Sequence, residues 1–414
     1  MTSMVNAVAD NKLANWTRDK TTDLINKTRA GIPKIMFNAG FGKSDGTMKT
    51  MQDLTNADSI TQVMTIIIIL LFFIIFFWVF HKIKLNDKNC RTIEEVYDSF
   101  PTISSMDTNN PIFQHKLRDY YIKTAYNCCA GGKMKNDFVN ICALRSCIKQ
   151  GARCLDFEIY SVDNEPVVAT SSTNDFHVKE SYNHVELVKA LETIAKYAFS
   201  GRSCPNPDDP LILHFRIMTN SKKIHDKIAT QLYDTLQNRL LGKKFSYENS
   251  GLNIGSYPIS KLMDKVILMV DKSNPLFTTT LLNEYVNVTS NSAFVRLLRY
   301  REVAYNHDKE ELLYYNKQNM TISLPNISGN NKNYSSALAM TYGCQMIGMS
   351  FQNFDNNLKY YTKYFDDAGS AFVLRPDRYR YIPVFIPKPK CQDPEVTFAN
   401  KSLSVNPELP SLNI

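Results

Sequence analysis

Hydrophobic and polar positions alternate along residues 153–162, RCLDFEIYSV, as they do in a β-strand with one buried face. The segment 181–199, SYNHVELVKALETIAKYAF, instead repeats its apolar positions every three or four residues, which predicts a helix. These two patterns follow each other along much of the chain. They predict further strands at 208–218, 265–270, 342–352 and 370–376, and a helix at 221–242 that ends at Gly242.

The alternation of strands and helices after residue 100 predicts a parallel α/β fold. A barrel of the triosephosphate isomerase (TIM) type, with eight β/α units, is the most economical arrangement of such elements. In this barrel the chemistry lies at the C-terminal ends of the strands. The sequence therefore directs attention to polar residues near the ends of the predicted strands.

The strand at 153–162 carries two carboxylates on one face, Asp156 and Glu158. Side chains two residues apart on a strand point the same way. With an asparagine nearby, these two could hold a hard cation such as calcium. The same spacing is typical of a polar strand face or of an internal ion pair, so the spacing alone leaves these alternatives open.

A long apolar segment precedes this region and begins at Ser59 with SITQVMTIIIILLFFIIFFWVFHKIK. No residue from Ser59 to Phe80 is charged. About 20 such residues form a helix that crosses the roughly 30 Å hydrocarbon layer of a bilayer, and no polar face marks this helix as part of a soluble core. We predict a single transmembrane helix at 59–81.

Charges beside the apolar segment predict its orientation. Lysine and arginine are frequent just after it, at Lys82, Lys84, Lys88 and Arg91, whereas only Lys49 lies at a comparable distance before it. The positive-inside rule then places the C-terminal domain on the cytoplasmic side of the membrane. Glycosylation sequons at 287–289, 319–321 and 326–328 would matter only if that domain were luminal.

The charge and composition of the chain limit the classes of partner that it is expected to bind. The formal net charge is +8, and no dense run of lysine and arginine is interleaved with aromatic residues, so we expect no nucleic-acid partner. A modest positive charge suits a protein beside an anionic membrane surface. The abundance of Asn, Lys, Ile and Tyr is compatible with an AT-rich genome, such as that of a large DNA virus or a protist.

The nine cysteines include no CxxC pair, which excludes the common zinc-binding spacing. Their number is odd, and the chain is too long to depend on a disulfide framework. We therefore expect free, buried thiols in a reducing compartment.

Two blocks of sequence resemble a known family. GARCLDFEIYSVDNEPVV (151–168) and LETIAKYAF (191–199) are similar to the X half of eukaryotic phosphoinositide-specific phospholipase C. YGCQMIGMSFQNFD (342–355) and AGSAFVLRPDRYR (368–380) are similar to its Y half. The order and spacing of the blocks agree with that family, and the resemblance covers residues 101–381.

The resemblance implies a distorted TIM-type (β/α)8 barrel that cleaves a phosphoinositide to diacylglycerol and an inositol phosphate. In that family two histidines act on the phosphoryl group. Calcium, held by an asparagine and three carboxylates, activates the inositol 2-hydroxyl and offsets the phosphate charge. Lysines and an arginine bind the ring phosphates.

This sequence departs from the family at its catalytic positions. The two histidine positions are occupied by Tyr126 and Thr170. Of the implied calcium site, Asn127 remains, Asp156 and Glu158 remain with their identities exchanged, and Arg216 replaces the third carboxylate. The implied phosphate-binding positions are also altered, and they fall on Met269, Asp271, Ile322 and Leu324.

Arg216 supplies positive charge where calcium would be bound. We hypothesise that it forms a buried ion pair with Asp156 and Glu158 and excludes the metal. No cofactor is then expected, and calcium would bind only if the altered site still held it. Three histidines remain as candidates for relocated catalysis: His177, His184 and His214.

The predicted organisation has seven parts. They are a polar N-terminal segment (1–58), the transmembrane helix (59–81), a linker (82–100), an X-like half barrel (101–273), a short X–Y linker (274–292), a Y-like half barrel (293–382) and a Pro-rich tail (383–414).

Three functions fit this organisation. The chain could be a membrane-anchored, catalytically inactive relative whose barrel binds a phospholipid headgroup or a protein, or has a structural role. It could be an active phosphodiesterase with an altered substrate, although no general base is identified. Finally, residues 1–58 could recognise a partner while the barrel is inert. The inactive relative is the preferred interpretation, because both histidines, a metal ligand and the phosphate-binding residues are all replaced.

Overall fold

The computed structural model describes residues 57–176, 178–247, 253–384 and 386–390, with residues 396, 402–403 and 412–413 of the tail. The predicted N-terminal segment therefore lies almost entirely outside the described residues, as does most of the Pro-rich tail. The chain divides into two units, residues 1–74 and 75–414.

Thirteen strands are present in the described residues. They are β1 Tyr120–Ala125, β2 Cys154–Val162, β3 Glu165–Ala169, β4 Val185–Glu186, β5 Leu211–Ile217, β6 Val266–Asp271, β7 Val288–Ser290, β8 Val295–Arg299, β9 Met320–Leu324, β10 Met346–Met349, β11 Phe372–Leu374, β12 Ser402–Leu403 and β13 Leu412–Asn413.

Eight of these strands form a parallel, nearly closed barrel of the TIM type. Their order is β7-β6-β5-β2-β1-β10-β9-β8, and no ladder joins β7 to β8. The predicted fold class is confirmed. The register aligns Asp156 of β2 with His214 of β5, and Glu158 with Arg216. Strand β7 lies inside the segment 274–292 that the sequence suggests as the X–Y linker, so part of that linker contributes to the barrel wall.

The remaining strands lie outside the parallel path. Strand β3 runs antiparallel to β2, and β4 pairs with β3. Strand β11 pairs antiparallel with β1, so the strand predicted at 370–376 is not one of the eight parallel strands. The alternation along 153–162 predicts one buried face, yet β2 is buried on both faces from Cys154 to Tyr160. Its polar face points into the barrel instead of into solvent.

Eight α-helices occur in the described residues. They are α1 Ala57–Val96, α2 Ile141–Lys149, α3 Leu187–Tyr197, α4 Lys222–Leu236, α5 Tyr300–Ala304, α6 Lys309–Gln318, α7 Ser336–Thr341 and α8 Asn356–Ala368. Short 3-10 helices occur at Pro111–Phe113, Leu117–Asp119, Lys243–Phe245, Ile254–Ser256, Ile259–Lys261, Pro275–Thr279, Leu281–Glu284 and Asp377–Tyr379.

Local sequence explains several helix ends. Asn140 begins α2 by accepting a hydrogen bond from Cys142 N, and Asp355 begins α8 by accepting one from Leu358 N. Helix α8 ends at Gly369, whose φ of 66° suits glycine. The predicted end of α4 at Gly242 is wrong, because the helix stops at Leu236 and the chain from 240 runs beside β6.

Helix α1 is long and apolar enough to cross a membrane by length and composition. In the first unit, its apolar side chains from Val63 onward are exposed. The helix continues to Val96, so most of the predicted linker at 82–100 is helical.

In the second unit, the end of α1 packs against the barrel. Asn89 Nδ2 donates to Asp137 Oδ1 at 2.9 Å, and Ile93 is buried. Just after the helix, the Tyr97 hydroxyl donates to Phe351 O at 2.7 Å. This part of the chain is therefore fixed by buried and polar contacts.

The expectation that all cysteines are free thiols is wrong for Cys90 and Cys142. They form a disulfide with a Cα–Cα distance of 5.8 Å, within the usual range. The pairing depends on the packing of α1 against α2, which no spacing in the sequence reveals. Six others are free and buried, as expected: Cys128, Cys129, Cys147, Cys154, Cys204 and Cys344. Cys391 lies outside the described residues.

The two motifs that carry the Y-half resemblance hold the barrel together. Gln345 Nε2 donates to the carbonyl oxygens of Arg118, Asn316 and Asn319. Arg375 donates to the carbonyls of Gly343 and Asn316. Both side chains are buried, so the motifs have a structural role that is independent of catalysis.

The buried Lys123 on β1 predicts how the stability of the barrel depends on pH. Its ammonium is fully buried, and its one described partner is Asp366 Oδ1 at 3.4 Å. Burial, only partly offset by Asp366, lowers the pKa of Lys123 from 10.5 to about 8. Between these values the unfolded chain binds more protons, so Lys123 makes the free energy of unfolding rise with pH, by at most about 3 kcal/mol.

The comparison with Lys123→Met isolates this effect, because buried cysteines and tyrosines titrate in the same range. Thermal unfolding of both proteins, followed by circular dichroism from pH 7.5 to 10.5, provides the measurement. We expect the stability of the wild type, relative to that of Lys123→Met, to increase as pH rises. A constant difference across this range would contradict the prediction.

Candidate functional site at the barrel mouth

Arg216, near the C-terminal end of β5, lies inside the barrel at the centre of a cluster of buried polar groups. Its Nε and Nη2 donate to Asp156 Oδ1 and Oδ2 at 2.9 and 2.7 Å. Its Nη1 donates to Glu158 Oε1 at 2.5 Å, and Nη2 also donates to Asn127 Oδ1 at 2.9 Å. The predicted buried ion pair is therefore present, and its contact with Asp156 is bidentate.

The carboxylates have further partners that fix their positions. Asp156 Oδ2 accepts from Asn127 N at 3.1 Å. Glu158 Oε2 accepts from the Tyr160 hydroxyl and from Ser171 N, both at 3.0 Å. All four carboxylate oxygens are thus occupied by protein donors.

The pKa shifts agree with this pairing. Burial alone would raise the pKa of Asp156, but the charge of Arg216 and hydrogen bonds from His214 and Arg216 outweigh it and lower that pKa. Burial would lower the pKa of Arg216, and the charges of Asp156 and Glu158 instead raise it well above its ordinary value. Asp156 and Arg216 therefore remain charged at neutral pH.

His214, which lies two residues before Arg216 on β5, also contacts this cluster. Its Nδ1 lies 2.7 Å from Asp156 Oδ1, and its Nε2 lies 2.9 Å from Ser290 Oγ. Because the carboxylate is an acceptor, Nδ1 donates to it, and in a neutral ring Nε2 accepts from the Ser290 hydroxyl. All three side chains are completely buried. The chain of contacts has the order of a catalytic triad, but its serine has no exposed surface from which to attack a substrate.

Tyr126 and Thr170, at the two positions where the resemblance implies catalytic histidines, are both buried. The Tyr126 ring lies 5.0 Å from the guanidinium carbon of Arg216 and covers it. Burial, partly offset by the Arg216 charge, raises the pKa of Tyr126, so its phenol stays neutral. Thr170 donates through Oγ1 to Met134 O at 2.9 Å. Neither residue is a base at neutral pH.

Most of the implied phosphate-binding positions face the protein interior. Met269, Ile322 and Leu324 are each at most 1% exposed. A Cβ at Gly348 would lie 2.8 Å from Leu324 Cδ2 and 3.3 Å from Tyr126 Cβ, so these side chains close over the glycine. Asp271, by contrast, lines a cavity at the mouth.

That cavity has a volume of about 310 Å³, which is at the small end for ligand sites. Arg216 lies at its edge, and Arg299, Asp271 and Glu302 contribute to its lining. Its two arginines are matched by two acids. The cavity thus has no surplus of positive charge for a phosphorylated headgroup.

Sequence reasoning missed Ser290, Tyr160 and Arg299 as members of this region. Tyr160 lies two residues after Glu158 on the same face of β2, but nothing in the local sequence indicates its bond to Glu158. Ser290 and Arg299 lie in a stretch where the sequence pattern is weak, and only the barrel closure brings them near β5. The other histidine candidates differ from His214: His184 is exposed in the chain before β4, and His177 lies outside the described residues.

The residues present do not fit a calcium ion. The oxygens of Asn127, Asp156 and Glu158 that would ligate it accept hydrogen bonds from Arg216 instead. A guanidinium at that point also places a positive charge where a cation would have to bind. Across the described part of the chain, no group of three or more His, Cys, Asp or Glu side chains is arranged to hold a metal.

Ser290→Ala tests whether the buried triad is structural. The variant leaves His214 Nε2 without its hydroxyl donor inside the barrel, which typically costs about 1–3 kcal/mol. Circular dichroism melting is expected to report that loss, with no change in phospholipid hydrolysis. Ser161→Ala, at an exposed position of β2, is the control and is expected to melt like the wild type. Hydrolysis by the wild type that disappears in a folded Ser290→Ala protein would contradict a purely structural role for this triad.

The parallel barrel, with Asn127, Asp156 and Glu158 at its mouth, is the fold and the polar cluster that the resemblance to phospholipase C implies. Residues 113–272 match the family model of the phosphatidylinositol-specific phospholipase C X domain. Residues 283–378 match the model of the Y domain of the same enzymes. Together these matches span more than half of the chain, which therefore belongs to the phosphatidylinositol-specific phospholipase C family.

Solved structures agree on the fold. PLC21 from L. pealei is similar with a TM-score of 0.53 and 16% identity, and PLC21 from S. officinalis with 0.52 and 17%. Each comparison covers 65% of this chain but 38% of the other protein, so the chain spans about two fifths of the length of these relatives. A search of curated protein sequences finds no match.

Proposed function

We propose that this protein is a membrane-anchored member of the family that does not hydrolyse phospholipids. Its barrel would serve as a binding or structural component at the membrane surface. The observation that carries the proposal is the Arg216 ion pair with Asp156 and Glu158. It occupies the oxygens that would bind calcium, and without a metal the inositol hydroxyl has nothing to lower its pKa.

Two further observations support the absence of catalysis. Tyr126 and Thr170 cannot accept a proton at neutral pH in their present surroundings, so neither position at which the resemblance implies a catalytic histidine holds a base. His214 points into the barrel, but it is completely buried with both ring nitrogens occupied. Proton transfer to a bound lipid would require it to leave both partners.

The apolar part of α1 supports anchoring. The apolar stretch of this helix is exposed along its whole length, as expected for a helix surrounded by lipid. Lys82, Lys84 and Lys88 follow the apolar stretch and favour a cytoplasmic barrel. A phospholipid headgroup with little negative charge, or a protein, suits the charge-balanced cavity at the mouth.

Turnover by the full-length protein tests the proposal. The protein is incubated in mixed micelles with phosphatidylinositol or its bisphosphate, with calcium or with a chelator. We expect no release of inositol phosphate above a heat-denatured blank. Calcium-dependent release would overturn the proposal. Release that persists in chelator but disappears in Arg216→Ala would also overturn it, since the arginine would then have replaced calcium in catalysis.

An active phosphodiesterase with an altered substrate is the second candidate. The contact between His214 and Asp156 favours it, because a carboxylate that orients an imidazole is a common feature of general bases. Release of a headgroup from a plainer phospholipid or a glycerophosphodiester, lost in His214→Gln but kept in Ser161→Ala, would support this candidate.

A further inference from the structure

The disulfide between Cys90 and Cys142 conflicts with the expected location of the barrel. Disulfides are rare on the cytosolic side of membranes, and those found there are usually transient or redox-sensing. We infer that this disulfide is a reversible clamp, closed after folding by thiol–disulfide exchange on the non-glycosylating side of the membrane. The inference goes beyond the proposed function and does not depend on whether the barrel hydrolyses lipid.

Two buried sequons argue against N-linked glycans at Asn287 and Asn333 of the folded barrel. Asn287, in the sequon 287–289, is 5% exposed and donates through Nδ2 to Phe245 O at 3.2 Å. Asn333, in the sequon 333–335, is completely buried and donates through Nδ2 to Ser350 O and Asn353 O. A glycan attached to either nitrogen would have no space in the folded barrel. A barrel folded with both asparagines unglycosylated agrees with the non-glycosylating side of the membrane.

The distribution of thiols indicates that the pair is oxidised after the barrel has folded. Six cysteines in the described residues remain reduced, and each is buried. Burial raises the pKa of the thiols of Cys128, Cys129 and Cys154, which keeps them protonated and unreactive. Cys90 is only partly buried, so an oxidant reaches it first.

The exchange needs one co-reactant, a disulfide carried by another protein or by a small molecule. The Cys90 thiolate attacks one sulfur of that disulfide, forms a mixed disulfide and releases the first donor thiol. The Cys142 thiolate then attacks Cys90 Sγ and releases the second donor thiol. Two electrons pass from the cysteine pair to the donor, which leaves as two thiols.

The clamp joins two elements near the position where Ile93 and Tyr97 are buried against the barrel, and before Ile93 the end of α1 is held by a few polar contacts. Asn89 donates to Asp137 at 2.9 Å, and Asn140 Nδ2 donates to Asn86 Oδ1 at 3.1 Å. The exposed pair Glu94–Arg145 adds little. Cys142 lies just after the loop of residues 126–140, which begins with Tyr126 and Asn127 of the mouth. Reduction would therefore loosen the end of α1 and this loop without unfolding the barrel.

The test uses the full-length protein, alkylated as the cells are lysed and then mapped by mass spectrometry. We expect Cys90 and Cys142 to be linked, or to become linked with oxidised glutathione, while the six buried thiols react only after denaturation. Asn287 and Asn333 should carry no glycan. A glycan on either residue, or a pair that oxidised glutathione cannot close, would overturn the inference.

Hydrogen exchange then measures how strongly the disulfide restrains the neighbouring segments. After mild reduction with dithiothreitol, we expect exchange to rise at least tenfold in residues 82–97 and 126–140 and to stay unchanged in β5 and β6. The double variant Cys90→Ser with Cys142→Ser should match the reduced wild type and should not respond to dithiothreitol. A disulfide that resists reduction in the folded protein, or equal exchange in both states, would contradict a reversible clamp.

Discussion

Arg216→Met is expected to destabilise the barrel more than any other single exchange at the mouth. The variant leaves Asp156 and Glu158 buried without their cation, and breaking a buried pair in this way costs about 3–5 kcal/mol. For a domain of roughly 280 residues, with an unfolding entropy of about 2.1 cal/mol/K per residue, that loss lowers the melting temperature by roughly 5–9 °C. Thermal unfolding in detergent, followed by circular dichroism, gives the measurement.

Two comparisons make the result specific to the buried pair. Arg296→Met removes a partly exposed guanidinium that pairs with Glu311, and it should cost no more than about 1 kcal/mol. Adding Asp156→Asn and Glu158→Gln to Arg216→Met neutralises the cluster and should restore part of the loss. If Arg216→Met melted within 2 °C of the wild type, the ion pair would not be a main support of the mouth.

Arg216→Glu is expected to create calcium-dependent stability. The exchange returns a carboxylate to the position where the resemblance implies one, and removes the guanidinium that occupies the oxygens of Asn127, Asp156 and Glu158. Three carboxylates in one cluster repel each other without a cation. Calcium at one hundred times its dissociation constant would then stabilise the fold by about 2.7 kcal/mol. Melting curves with calcium and with chelator provide the comparison.

Arg216→Gln is the matched control for this gain of calcium binding. Glutamine also removes the guanidinium but supplies no charge, so its melting temperature should not respond to calcium. A calcium response of the same size in Arg216→Gln, or none in Arg216→Glu, would show that the arginine is not what keeps calcium from this site.

Much of the barrel follows from local patterns. Period-two and period-three-to-four repeats identify β2, β5, β6, α3 and α4, and their alternation predicts a parallel barrel. The charge exchange at 216 is also visible in the sequence once Asp156 and Glu158 are placed on the neighbouring strand. The predicted ion pair follows from the resemblance, which implies a metal-binding carboxylate at position 216, and the register of β2 with β5 then brings Arg216 beside Glu158.

Other features depend on contacts between distant segments. The disulfide requires α1 to continue to Val96 and to lie beside α2, yet the sequence suggests a linker there. Ser290 reaches His214 only because β7 follows β6 around the barrel, and the region 274–292 shows no strand pattern. Strand β11 pairs antiparallel with β1 although its apolar run looks like that of a barrel strand. None of these outcomes has a local signal.

Calorimetric titration of the full-length wild-type protein with calcium tests the central claim most directly, namely that a guanidinium has taken the place of the metal. The account predicts no binding heat at micromolar to millimolar calcium, while Arg216→Glu, titrated in the same buffer, binds. Micromolar binding by the wild type, weakened in Asp156→Asn, would contradict the account, because the metal would then share or displace the Arg216 ion pair.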